Sequence, residues 1–218
     1  YAEQGWMGLT IPEQFGGYGL DEMGLDGLAL AGTSELLSGA NHAFQMLVGL
    51  APGLVRVLLK FGTEDQKRLY LPQLATGQCL TTMVLTEPQA GSDLRQIRCK
   101  AIPDNDGVWR LSGEKIFISN GDQDASSQIA HLVLVRTSDD GLKGLSLAIA
   151  SAQLENDQRN SITVERVEHK MGIKASPTCQ HVFNQARAEI IGEPGQGLRL
   201  MFEMMNHARF SVGVQGLA

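Results

Sequence analysis

Leu85-Thr86-Glu87-Pro88-Gln89-Ala90-Gly91-Ser92-Asp93 closes the apolar run Leu80 to Leu85 and stops it abruptly. A strand ending in Thr-Glu-Pro and followed by Ala-Gly-Ser-Asp places hydroxyls and backbone N–H groups at a sheet edge. Pro88 fixes its own φ and pushes Glu87 towards extended geometry, while Gly91 permits a turn closed to residues with side chains. Such a loop suits hydrogen bonding to a flat polar heterocycle or to a phosphate. Taken alone the chemistry is unspecific, because many loops contain Gly-Ser-Asp.

The periodicity changes on either side of this loop. Upstream, Leu47, Leu50, Leu54, Leu58 and Phe61 recur at three- and four-residue steps as one apolar helix face, interrupted at Pro52. Gly62 is the expected C-terminal cap. Thr63-Glu64-Asp65-Gln66 reads as a capping box that opens a short helix ending near Pro72. Residues 1 to about 78 therefore read as helical. Gly16-Gly17-Tyr18-Gly19 is read as a flexible turn rather than a phosphate loop, since no strand precedes it and no Lys-Ser/Thr follows. Downstream, short strands are predicted over 80–86, 96–102, 107–113, 114–119, 129–136, 144–150, 161–167, 179–184 and 187–191. Asp104-Asn105-Asp106-Gly107 is a hairpin signal between two of them. From Gly197 onward Leu198, Met201, Phe202, Met205 and Val212 restore a helical period. The fold class is α+β: an N-terminal helical segment over 1–78, a compact antiparallel sandwich or barrel over 79–192, and over 193–218 the start of another helix.

At 218 residues, 43% hydrophobic and 19% charged, the chain has the composition of an ordinary globular protein with a sizeable core. No apolar run approaches the length needed to cross a bilayer, and no signal peptide is visible. The chain opens on Tyr1 and stops within the helical Gly213 to Ala218 stretch, so it reads as a piece of a longer protein. A net charge of −6 with dispersed acids argues against a nucleic-acid surface. Cys79, Cys99 and Cys179 are odd in number and widely spaced, which points to free thiols in a reducing, cytoplasmic setting. The five histidines show no ligand spacing, so no metal is assigned.

Six ordered strings then converge. They are Gly5-Trp6-Met7-Gly8-Leu9-Thr10-Ile11-Pro12-Glu13; Phe61-Gly62-Thr63-Glu64-Asp65-Gln66-Lys67 with Tyr70-Leu71-Pro72; Leu85 to Asp93; Gly113-Glu114-Lys115-Ile116-Phe117-Ile118-Ser119-Asn120-Gly121; Met171-Gly172-Ile173-Lys174-Ala175-Ser176-Pro177-Thr178; and Gly192-Glu193-Pro194-Gly195-Gln196-Gly197. In this order they resemble the acyl-CoA dehydrogenase family, which implies that 193–218 is the first helix of a truncated C-terminal helical bundle. The stretches Glu168 to Thr178 and Met204-Met205-Asn206-His207-Ala208-Arg209 look closest to its methylmercaptopropionyl-CoA dehydrogenase-like branch.

The resemblance implies FAD-dependent α,β-dehydrogenation of an acyl-CoA thioester, in which a carboxylate removes the α-proton while the β-hydride passes to flavin N5. It assigns backbone groups near Met83 and Leu85, and the Thr86 hydroxyl, to the pyrimidine side of the flavin. Ser92 goes to the pyrophosphate or the substrate's pantetheine. Phe117 packs on the ring, Ser119 bonds near N5 and O4, and Asn206 and Arg209 face the substrate. From the residues alone, Phe117 reads as sheet core, Thr86 and Ser119 as ordinary strand hydroxyls, and Ser92 and Asp93 as a loop cap. Arg209, seven residues after Phe202 and four after Met205, falls on the apolar stripe of its helix. Its stem then either packs while the head reaches water, or the head anchors a ligand. Where the family commonly has Trp-Ile-Thr, this chain has Phe117-Ile118-Ser119, which keeps an apolar face and a hydroxyl but loses the indole N–H.

Some relatives place the catalytic Glu immediately before the Arg that matches Arg209. Here that position is Ala208, so no catalytic residue is assigned and the base is expected beyond Ala218. The implied partners are an acyl-CoA substrate and an electron-transferring flavoprotein, with a homodimer or homotetramer as the assembly. Three rivals remain: an acyl-CoA oxidase, a flavin-carrying DNA-associated protein of the alkylation-response branch, and a catalytically dead scaffold homologue.

Overall fold

The computed structural model describes residues 1–20, 22–155 and 158–218. Helices α1 (Asp26–Val48), α2 (Ala51–Phe61) and α3 (Glu64–Ala75) precede strands β1 (Cys79–Val84), β2 (Lys100–Pro103), β3 (Trp109–Ser119), β4 (Gln128–Arg136), β5 (Leu145–Ser151), β6 (Ile162–Val167) and β7 (Thr178–Ile191), and α4 (Gly197–Gln215) follows. Helices, strands and helix thus succeed one another as the periodicities require.

The N-terminal part is less helical than its sequence predicts. Among the described residues before α1, the helical elements are 3-10 turns at Trp6–Gly8 and Glu13–Phe15. The glycine-rich turn is pinned rather than flexible: Tyr18 N–H donates to the Gly8 carbonyl and Gly19 N–H to that of Ile11, each at 2.9 Å. α1 is kinked at Asn41, where φ is −158° and the side-chain oxygen accepts from the Phe44 amide at 3.1 Å. The stretch Gly27–Phe61 spans 35 residues and contains a window of mean hydropathy 1.5, long and apolar enough to cross a bilayer on those criteria alone. This corrects the expectation that no apolar run approaches that length. Its C-terminal half is used internally, since Leu54 and Leu58 are fully buried and Leu47, Leu50 and Phe61 pack against the same core, whereas Leu28 and Leu36 are exposed.

α2 starts with Pro52 in its first turn, where the missing N–H costs nothing. It crosses α4 closely at Gly53, where a Cβ would come within 2.8 Å of Met204 Cγ. The capping box of α3 is present in full. Gln66 N–H donates to Thr63 Oγ1 at 3.2 Å, and Thr63 N–H to Gln66 Oε1 at 3.1 Å. Gln66 Nε2 also reaches Glu189 and the Ile190 carbonyl, which ties α3 to β7. α3 does not end at Pro72 but continues to Ala75. Thr76 closes it by bonding the Pro72 carbonyl through both its amide and its hydroxyl.

The strands form one seven-stranded sheet whose β4–β2–β3–β7–β5 path closes back on β4, which makes a barrel. β1 and β2 lie along β4 in parallel, and the other pairings are antiparallel. Strands predicted over 107–113 and 114–119 are the single strand β3. Those over 179–184 and 187–191 are the single strand β7, in which Gln185, at φ 55°, forms a bulge opposite the Leu111/Ser112 step. The strand predicted over 96–102 begins only at Lys100, because Leu94–Gln96 is a 3-10 turn capped by Asp93. The hairpin is as read: the Asp104 carboxylate accepts from the Asp106 and Val108 amides and from Arg110 Nε.

β4 and β5 are apolar on both faces. Leu132, Leu134, Leu145, Leu147 and Ile149 face the helices, while Val133, Val135, Ala148 and Ala150 fill the barrel. This is the two-residue alternation of a strand buried on both sides. Cys79, Cys99 and Cys179 are buried free thiols, and burial pushes the first two up to about 12 and about 11, outside the range of a nucleophile at neutral pH.

Two histidines also lie inside the barrel. His131 Nδ1 is 2.8 Å from Thr82 Oγ1, and its ring meets that of His181 edge-on at 5.0 Å. Both ring nitrogens of His181 are buried with no hydrogen-bond partner among the described residues. Burial lowers His131 well below the ordinary value and His181 to about 4. A folded-state value below the unfolded one near 6.5 contributes stability that is fully present above 6.5 and is lost as pH falls towards 4. Denaturant unfolding at stepped pH is therefore expected to show a steep loss of stability between these limits. His181→Leu is expected to flatten that loss while leaving stability at pH 7 equal or higher, since it removes two unpaired buried nitrogens.

Candidate functional site

The site is made by an irregularity in β3. Lys115 pairs with His181 and Ile118 with Cys179, so Ile116 and Phe117 together face Gln180 alone. This is a β-bulge, and Phe117 takes φ 60° within it. Left-handed backbone at a bulky residue costs about 1–2 kcal/mol. The bulge turns Ile116 away from β7, so that its N–H donates to the Thr86 carbonyl at 2.9 Å. It also swings the Phe117 side chain out of the sheet, leaving it 59% exposed. The sequence reading of Phe117 as core is thereby excluded.

Phe117 opens onto a hollow of about 180 Å³ that it shares with Met83, Ser119, Met46, Ala208 and Val212. α1, β1, β3 and α4 each contribute a wall. The end of β3 is locked to α1 through Asn120, at φ 55°. Its amide donates to the Pro177 carbonyl at 2.6 Å and its Nδ2 to the Met46 carbonyl at 2.7 Å, while its Oδ1 accepts from Ser176 Oγ at 2.8 Å. Gly121 must follow, because a Cβ there would sit 2.6 Å from Cys179 Cβ and 2.8 Å from the His181 ring.

Beneath the hollow lies a buried ion pair. Lys115 Nζ is 2.9 Å from Glu87 Oε1 and donates to the carbonyls of Leu85 at 2.9 Å and Leu134 at 2.7 Å. The Glu87 carboxylate also accepts from the amides of Arg98 and Cys99 and from Gln89 Nε2. Burial alone would raise the Glu87 carboxyl, but the Lys115 ammonium and the two amides hold it below the usual carboxylate range. The loop is closed by reciprocal Glu87–Ala90 backbone bonds of 3.1 and 3.0 Å. Gly91 is not in the left-handed region, and a Cβ there would meet only Thr86 Cγ2 at 3.9 Å, so the turn does not depend on it as the sequence reading held.

Of the residues read as flavin contacts, Met83, Phe117 and Ser119 are brought together in the hollow. Leu85 and Thr86 are half-buried beside it, with their carbonyls taken by Lys115 and Ile116, and Ser92 is exposed on the adjoining loop. Asn206 and Arg209 lie elsewhere on α4. The buried stripe of that helix runs through Leu200, Met201 and Met204 towards Ala208, so Arg209 is not on it. The guanidinium is exposed, stacks 5.3 Å from the Phe202 ring centroid and donates to Asn206 Oδ1 at 3.0 Å. Asn206 borders a separate surface hollow with Arg56 and Glu203. The Phe117 hollow offers an aromatic ring, the thioethers of Met46 and Met83, the hydroxyls of Ser119 and Ser211 and the carboxamides of Gln45 and Gln215, with no charged side chain among its described lining residues. That donor set fits a flat, largely apolar ring with a polar edge.

Residues 1–78 match the N-terminal domain of acyl-CoA dehydrogenases, and residues 82–186 match the middle domain of the same family. The chain belongs to the acyl-CoA dehydrogenase family. A 3-methylmercaptopropionyl-CoA dehydrogenase of Ruegeria pomeroyi is 42% identical over all of this chain, which spans 37% of that protein. Among solved structures, butyryl-CoA dehydrogenase from Megasphaera elsdenii superposes with a TM-score of 0.85 at 29% identity, over 99% of this chain and 55% of that one. An acyl-CoA dehydrogenase complexed with FAD from Bacillus anthracis gives 0.82 at 31% identity, over 98% and 35%. The chain thus spans about a third to a half of the length of these acyl-CoA dehydrogenases.

Sequence reasoning missed Glu87, Lys115 and Asn120 as structural supports of the site, although all three stand inside the quoted motifs. For Lys115 the signal was available in the charge itself, since it sits between Leu111 and Ile118 in a strand that is otherwise partly core. Two outcomes follow for an acyl-CoA dehydrogenase barrel built in this way. Glu87→Gln leaves the Lys115 ammonium without its counter-charge and is expected to cost about 3–5 kcal/mol in urea unfolding. Adding Lys115→Met is expected to restore only part of that loss, because the Leu85 and Leu134 carbonyls then lose their donor. Phe117→Gly relieves the left-handed backbone at an exposed position, so the ligand-free protein is expected to gain about 1 kcal/mol by the same measurement.

Proposed function

We propose that the protein carrying this segment is an FAD-dependent dehydrogenase of acyl-CoA thioesters. The observation that carries this reading is the convergence of Met83, Phe117 and Ser119, through the β3 bulge, on one hollow faced by Ala208 of α4. FAD, when bound, accepts the hydride that leaves the β-carbon of the acyl chain. The exposed Phe117 ring and the Met83 side chain flank the flavin and keep water from it. The Ser119 hydroxyl donates a hydrogen bond at its polar edge. Leu85, Thr86 and Ser92, beside the hollow, line the path of the remaining FAD and of the CoA pantetheine. Asn206 and Arg209 present an amide and a cation on the same helix to the polar part of the CoA.

Ala208 supplies no acid–base group where it borders the hollow, and the described lining carries no carboxylate. The α-proton is therefore taken by a carboxylate from a part of the protein outside Tyr1–Ala218. Electrons pass on to an electron-transferring flavoprotein, and the assembly is a homodimer or homotetramer in the cytoplasm. A net charge of −6 favours this reading over a DNA-associated one.

The full-length protein is expected to purify with bound flavin, to bleach its flavin absorbance anaerobically on adding an acyl-CoA, and to recover it with an electron-transferring flavoprotein. Ser119→Ala is expected to lower kcat by about tenfold, the worth of one hydrogen bond made in the transition state. Rapid peroxide formation under air would instead identify an oxidase, and an unbleached flavin would sink the reading.

A further inference from the structure

We propose that Lys115, besides holding the barrel together, is a positioning residue for the flavin, to which it carries positive charge through the peptide that joins Leu85 to Thr86. The proposal rests on the flavin-binding part of the reading above and adds a residue that raises the reduction potential of the bound ring.

The Lys115 ammonium donates to the Leu85 carbonyl at 2.9 Å, and that carbonyl belongs to the same peptide unit as the Thr86 N–H. A peptide is planar and trans, so its N–H points opposite to its C=O. With the carbonyl turned to a fully buried ammonium, the Thr86 N–H points away from that ammonium. Among the described residues this N–H makes no hydrogen bond, whereas the carbonyl of Thr86 is taken by the Ile116 amide at 2.9 Å. An open donor is thus left on a half-buried residue, beside the bulge that exposes Phe117.

The charges of the ion pair do not cancel at this peptide. The ammonium is bonded to its carbonyl directly. The Glu87 carboxylate makes no bond to the same peptide, and its lone pairs are taken by Nζ, by the amides of Arg98 and Cys99 and by Gln89 Nε2. A hydrogen bond accepted by a peptide carbonyl polarises the whole unit and makes its N–H a stronger donor. Burial protects the effect from screening by salt. A flavin ring that has taken up a hydride carries more negative charge than the oxidised ring. A strengthened donor at its pyrimidine side therefore holds the reduced form more tightly. Lys115 does not line the hollow, so it acts through the peptide rather than by touching the ring.

The test measures the reduction potential of bound FAD in the full-length protein, by anaerobic titration against reference dyes with no acyl-CoA present. Lys115→Met combined with Glu87→Gln is expected to lower the affinity for reduced over oxidised flavin by about tenfold, which for a two-electron couple is about 30 mV downwards. Glu87→Gln alone leaves the ammonium without its counter-charge and is expected to move the potential upwards. A loop that had merely loosened would shift both variants in one direction, so the opposite signs separate charge from structure. Both shifts are expected to persist at high salt. Lys115→Gln and Glu87→Asp make smaller changes, are expected to move the potential down and up respectively, and serve where the first pair does not fold. Unchanged potentials in the folded variants, or shifts of one sign, overturn the proposal alone. A protein that binds no flavin overturns the flavin reading and this proposal with it.

Discussion

An ammonium group inside a β-barrel is the constraint on which the rest of this structure depends. Removing Lys115 from water costs several kcal/mol, and only a complete set of partners offsets that cost. Those partners are the Glu87 carboxylate and the carbonyls of Leu85 and Leu134, contributed by the end of β1 and by β4. A slip of one residue in β3 would turn Lys115 out of the barrel and leave all three without it. Register, loop conformation and barrel closure are therefore fixed together. The Leu85–Asp93 loop has its shape because its acid is held from inside the protein, while its surface remains available.

The same strand is strained where it meets the candidate site. Phe117 occupies left-handed backbone, and Asn120, three residues on, does the same with three hydrogen bonds to hold it. Asn tolerates this geometry and an aromatic residue does not. The cost at Phe117 is accepted where it exposes a ring to a hollow, which is the usual location of such outliers. Stability and the proposed flavin contact thus pull in opposite directions at this position.

Much of the fold was legible in the sequence because it follows from period and punctuation. The apolar face from Leu47 to Phe61, the Thr63 capping box and the Asp104 hairpin each rest on local chemistry, and each is present. Features that depend on tertiary partners were not legible. Two pairs of predicted strands are single bulged strands, since a bulge and a turn break the two-residue alternation alike. Pro72 reads as a helix end, yet the carbonyl it exposes is taken up by Thr76. Arg209 reads as part of an apolar stripe, but the stripe follows Leu200, Met201 and Met204, and the guanidinium lies over Phe202 instead. At the site, Met83, Phe117 and Ser119 could be found from motif strings. The charge of Lys115 stood out in its strand, but its partners Glu87, Leu85 and Leu134 could not be read, because a buried charge shows its meaning only when its partners are in place.

The parallel pairing of β1 with β4 has a consequence for how the protein comes to exist. Thr81 bonds Ala130, 49 residues away, and the strands between them must be laid down before β1 has a neighbour. Contacts this distant in sequence form late, because the entropy of closing the intervening loop comes before any reward from pairing. The Leu85–Asp93 loop hangs from the end of β1 and is shaped by β3, so it is among the last segments to take its final form. The helices that precede it share their core with Leu132, Leu147 and Met204 of β4, β5 and α4, so they too are complete only when the rest of the chain has followed. A ligand that binds only the finished barrel would hold it against reopening by mass action.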